Sequence, residues 1–117
     1  MADCLQVLTT TPTREDAERL AGALVERRLA ACVQVVGPIQ STYRWQGQIE
    51  VAEEYQCVVK TLAEIYPELE QAIRELHPYE VPEILAVPVA ALSAAYREWL
   101  VAQVGRADPL SHKPSVS

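Results

Sequence analysis

With 117 residues, half of them hydrophobic, the chain can bury one core and is too short for two. Its net charge of -6 disfavours nucleic acid, because phosphate binding needs clustered Lys and Arg, and Arg27-Arg28 is the only adjacent basic pair. Cys4, Cys32 and Cys57 are odd in number, widely spaced and without a C-x-x-C pairing, which argues against a disulfide scaffold or zinc knuckle and predicts a reducing, cytoplasmic setting.

Met1 to Cys4 lead into an apolar run with no basic stretch, and no segment approaches the ~20 apolar residues that span a bilayer, so neither an export signal nor membrane insertion is expected. Cys4 to Thr10 is β-prone and stops at Thr11-Pro12, since proline lacks the amide a central ladder needs. Thr13 stands three residues before Asp16, a spacing that caps a helix N-terminus. Ala17, Leu20, Ala21, Leu24 and Val25 then recur at three and four residues, predicting a helix to about Leu29.

Cys32 to Val36 returns to β composition, Gly37-Pro38 marks a bend or bulge, and Ile39 to Trp45 continues as strand. Gln46-Gly47 is a turn, and Gln48 to Thr61 predicts a second long strand pairing back on the first. Such a hairpin is too long for one small domain. Its outer half, around Tyr43, Trp45, Ile49 and Val51, would leave large side chains and unpaired backbone bare unless another chain covers them. Oligomerisation is therefore expected from the residues themselves.

Ile65, Leu69, Ala72, Ile73 and Leu76 predict a second helix that ends at His77-Pro78, because the residue before proline is pushed out of helical dihedrals. Ile84 to Val87 follows as a fourth strand, and Ser93 is the candidate cap of a last helix carrying Tyr96, Trp99 and Leu100. The domain thus spans 1–104. Residues 105–117, small, polar and proline-containing without a period, predict a flexible tail. Strand, helix, strand, strand, helix, strand is the α+β split βαβ order of ferredoxin-like domains, with both major helices on one face of an antiparallel sheet.

Leu76-His77-Pro78-Tyr79-Glu80-Val81-Pro82-Glu83-Ile84 closely resembles the most characteristic motif of the CutA divalent-cation-tolerance family. Leu29 to Val33, Ser41 to Gly47, Val59-Lys60-Thr61 and Tyr96 to Leu100 resemble further family segments in the same order. The resemblance implies a ferredoxin-like protomer, a homotrimer related in architecture to the PII proteins, a role in tolerance of divalent metals, particularly copper, and no enzymatic reaction. A bacterial copper site attributed to the family uses a thiol shortly before the first proline and a histidine pair before Pro-Tyr. Those positions read Thr9 and Leu76-His77 here, so only His77 carries over, and loss of the soft thiolate and one imidazole weakens a copper site of that design.

Four residues are candidate metal ligands. His77, with Glu80 and Glu83 near it in sequence, offers a nitrogen and oxygen set, and Cys32 could add sulfur. The competing readings are that His77 closes the second helix and that Cys32 is a buried core thiol. Tyr43, Trp45, Tyr79 and Trp99, with Lys60, could line a cleft for a small metabolite or partner protein, while aromatics at this density equally make an intersubunit core. No G-x-S-x-G elbow, nameable triad or Gly-rich phosphate loop is present, so the expectation is a binding protein that requires no cofactor, with copper or another divalent cation as its candidate ligand.

Overall fold

A computed structural model describes residues 3–105. Strand β1 (Cys4–Thr11), helix α1 (Arg14–Glu26), β2 (Cys32–Trp45), β3 (Gln48–Leu62), α2 (Tyr66–Leu76, entered through a 3-10 turn at Ala63–Ile65), β4 (Leu85–Pro88) and α3 (Ala94–Gln103) follow in that order. The strands form one antiparallel sheet ordered β2-β3-β1-β4. This is the expected α+β, ferredoxin-like arrangement. Strand β4 sits one residue later than Ile84–Val87, and only Gly105 of the expected 105–117 tail lies within the described residues.

The pleat divides the sheet into two unequal faces. Val7, Thr9 and Thr11 of β1 and Cys57, Val59 and Thr61 of β3 are fully buried, and the Cys57 thiol reaches the Ala17 carbonyl of α1. The buried residues Leu20 and Leu24 of α1 and Leu69 and Ile73 of α2 complete the core on this side. Leu8, Val58, Val36, Leu85 and Val87 alternate to the opposite face, where Val36, Leu85 and Val87 stand exposed. The middle of this face is therefore uncovered at Val36, Leu85 and Val87, which stand among Gln6, Gln34, Gln56 and Lys60. Helix α3 lies at the Cys4–Leu62 end, where Leu100 and Val104 are buried.

Both cap expectations hold: Thr13 Oγ1 accepts from the Asp16 amide at 3.1 Å, and Ser93 Oγ from the Tyr96 amide at 3.2 Å. Helix α1 stops at Glu26 rather than near Leu29, because Arg28 turns left-handed (φ 60). The Leu29 amide then returns to the Leu24 carbonyl and the Arg28 amide to that of Val25, a Schellman closure with Arg where glycine is usual. The arginine side chain explains the exception. Its guanidinium donates to the carbonyls of Ala102 and Gly105, and the Gly105 amide bonds Arg28 O, so the left-handed residue ties the end of α3 to the end of α1.

Strands β2 and β3 form a long ribbon. Its turn, Gln46-Gly47, has both φ values positive, the geometry that matches a two-residue hairpin to the strand twist. A register shift between Val36 and Ile39 marks a bulge at Gly37-Pro38, whose peptide bond is cis. Pairing of β3 with β1 ends at Tyr55, so, among the described residues, 48–54 pair with no strand but β2 and the ribbon runs on for about 23 Å. The molecule measures 51 × 27 × 26 Å in consequence.

The ribbon leaves the sheet where Gly37 meets Tyr55. A Cβ built on Gly37 would lie 2.5 Å from Tyr55 Cδ2, inside any normal carbon contact. Gly37→Ala is accordingly expected to cost about 1–3 kcal/mol by displacing that ring, measured by chemical denaturation against the parent.

Candidate functional site

Strand β1 outruns β4, which pairs only with Leu5–Leu8, leaving the Thr9–Thr11 edge without a neighbouring strand. The connection from α2 to β4 covers it. His77 leaves helical dihedrals ahead of Pro78 (φ -79, ψ 138) while its amide still bonds Ile73 O. The buried ring reaches the β1 edge, with Nε2 2.7 Å from the Thr10 carbonyl and Nδ1 3.0 Å from the Tyr79 amide. A carbonyl only accepts and an amide only donates, so the ring is the neutral Nε2–H tautomer with its lone pair taken by Tyr79 N–H. Burial pushes the His77 pKa below its ordinary value, against the opposing pull of the Thr10 carbonyl and the Asp16 and Glu54 carboxylates.

The Tyr79 ring lies tilted against His77 at 4.9 Å, and its hydroxyl donates to Glu54 Oε2 at 2.7 Å. Burial, reinforced by that carboxylate, raises the Tyr79 pKa far above the usual tyrosine range, so the hydroxyl stays a donor. On the helix-covered side of the same place, the Arg14 guanidinium lies 4.9 Å from the Tyr55 ring centre and donates to Gly37 O at 3.3 Å. The foot of the ribbon is thus gripped on both faces.

The structure joins His77 to Tyr79 and leaves the other expected ligands apart. Glu80 and Glu83 are exposed on the connection. Cys32 is half-buried at the other end of the open face, opposite Lys60, four residues along the strands from the Thr10–Gln56 pair, or about 13 Å. Lys60 donates to Gln34 Oε1, Trp99 stacks against Tyr96 at 5.5 Å, and Tyr43 and Trp45 stand exposed on the ribbon. Thr9 is fully buried opposite Cys57. Burial lifts the Cys57 thiol to about 11, so it stays protonated.

Among the described residues, no three His, Cys, Asp or Glu side chains converge as metal ligands, and both His77 nitrogens are engaged. His77, Glu80, Glu83 and Cys32 of one chain therefore do not fit a metal ion as they stand. The reading of His77 as the residue that closes the second helix agrees with the geometry. Glu54, Arg14 and Tyr55 escaped sequence reasoning because their partners lie 20 or more residues away, and no local spacing links them.

Residues 5–103 match the family model described as CutA1 divalent ion tolerance protein. The Divalent-cation tolerance protein CutA of Thermus thermophilus is 46% identical over 99 residues, covering 85% of this chain and 96% of the relative. Human Protein CutA is 41% identical over 91 residues, covering 78% of this chain, and this match spans about half of the human protein. The structure of CutA from Synechococcus elongatus superposes with a TM-score of 0.86 at 45% identity, covering 90% of this chain and 93% of the other. Similarity at this level across nearly the whole described domain places the chain in the CutA1 divalent ion tolerance family.

Proposed function

We propose that the chain serves divalent-cation tolerance as a cytoplasmic homotrimer, without catalysing a reaction, and that any cation contact is made at clefts between copies. The ribbon carries this reading: Trp45, Ile49 and Val51 are 58%, 68% and 59% exposed on an arm that, among the described residues, has no third strand beside it. A bare two-stranded ribbon is marginal in water, and an apolar one invites a partner. The exposed Val36, Leu85 and Val87 on the open sheet face offer further apolar area of the same kind. A shared cation site follows because one chain's candidate donors stand apart, and three free cysteines suit the reducing compartment.

Light scattering on the purified protein tests the assembly. At micromolar concentration the mass should be three times the 13.0 kDa of one chain, whereas a monomer would overturn the reading. Copper titrated by calorimetry into the parent, His77→Ala and Cys32→Ser tests the donors. Unchanged affinity in both variants would remove these two residues from the site.

A further inference from the structure

We propose that the two-sided grip at the foot of the β2–β3 ribbon is an association-controlling clamp, with Tyr79 and Glu54 as positioning residues that aim the ribbon at a second copy of this chain. The inference rests on the homotrimer reading and says what makes the ribbon competent for it. Glu54 is the first β3 residue past the end of β1, since the last β1–β3 pair is Thr11 with Tyr55. It is therefore the point at which the ribbon loses support from the sheet. A two-stranded arm about 23 Å long swings at its free end through any angle its foot allows, so a small freedom at Glu54 becomes a displacement of several ångströms at Trp45.

The contacts found there restrain that freedom from opposite faces. Tyr55 and Glu54 are adjacent and so point to opposite sides of the sheet. Arg14, on α1, lies over the Tyr55 ring and holds Gly37 O across the bulge. Tyr79, from the connection on the far side of β1, reaches Glu54 at 2.7 Å, and His77 anchors that connection to Thr10. Glu54 is 9% exposed, an unusual burial for a carboxylate on a ribbon whose next residues outward are mostly exposed. A carboxylate held there with one hydroxyl partner is a directed contact. Holding the arm in its docking direction before encounter lowers the ordering cost of association.

Tyr79→Phe tests the clamp, because it deletes the hydroxyl and keeps the ring that lies against His77. Hydrogen exchange of the ribbon amides at 39–54 should quicken roughly tenfold, while amides of α1 and β1 keep the parent rate, and the concentration at which the assembly dissociates should rise roughly tenfold. Glu54→Gln, which retains a neutral acceptor, should fall between the parent and Tyr79→Phe in both measurements. A purely structural role would instead quicken exchange across the whole domain. Ribbon exchange and dissociation both within twofold of the parent in Tyr79→Phe would overturn the proposal. If the parent proves monomeric, the association role falls with the homotrimer reading, whereas unchanged ribbon exchange in Tyr79→Phe overturns the clamp whatever the parent's mass.

Discussion

A chain carrying Trp45→Asp together with Ile49→Asp is expected to remain folded and become monomeric. The two residues lie near the ribbon tip and belong to no part of the buried core, so their replacement leaves the domain's packing intact. By strand alternation they occupy opposite faces of the ribbon, since Trp45 pairs with Gln48 and Ile49 with Arg44. Whichever face meets a neighbour, one carboxylate enters the contact. Each loses about 1.5–3 kcal/mol of apolar burial and adds the cost of desolvating a charge. In a closed three-fold ring the loss recurs at every interface, so the assembly should not persist at micromolar concentration. Sedimentation velocity reads the mass and circular dichroism the fold. An intact trimer in this variant would show that the ribbon is not the joining element. Copper affinity should fall with the assembly, and a monomer that bound copper as tightly as the parent would place the cation within one chain.

The ribbon was visible in sequence because its evidence is local: two long β-prone runs, one Gln46-Gly47 turn, and large apolar residues continuing past the point where a small sheet has run out of strands. Thr13 and His77-Pro78 were legible for the same reason, since a cap and a pre-proline break each depend on a few adjacent residues. The end of α1 was misplaced because a left-handed arginine is justified only by carbonyls more than 70 residues away, at Ala102 and Gly105. Site residues fared similarly. Proximity along the chain suggested His77, Glu80 and Glu83 as one ligand set, yet the ring turns inward to Thr10 while both glutamates face solvent. The partner that counts, Glu54, lies on another strand, and Glu53 beside it in sequence is equally acidic and exposed. Strand alternation decides between them: β3 pairs with β1 as Thr10 with Gln56 and Thr11 with Tyr55, which puts Glu54 on the Gln56 face, and no local spacing in the sequence states that long-range register.

His77→Ala is expected to destabilise the domain by about 2–3 kcal/mol, read as a lowered denaturant midpoint with an unchanged slope. The substitution orphans two backbone groups at once: the buried Thr10 carbonyl loses its donor and the Tyr79 amide loses its acceptor, each at about 1–3 kcal/mol when water cannot replace the partner. The half-buried Tyr79 side recovers some hydration, which keeps the total below the sum. A loss under 0.5 kcal/mol would show that the ring fills space without bonding. The same geometry sets a pH dependence. Folded His77 titrates below the 6.5 of the unfolded chain, chiefly through burial, and the facing carboxylates of Asp16 and Glu54 oppose the shift without reversing it. The unfolded chain therefore binds the proton more readily. The His77 contribution is complete above pH 6.5 and is lost as pH falls from there through the lower folded value, because a proton on Nδ1 would confront the Tyr79 amide. Denaturation midpoints between pH 7.5 and 5 should decline more steeply in the parent than in His77→Ala. Equal slopes would mean that the bond from the Tyr79 amide to Nδ1 adds nothing to stability, and that the connection holds its place by other contacts.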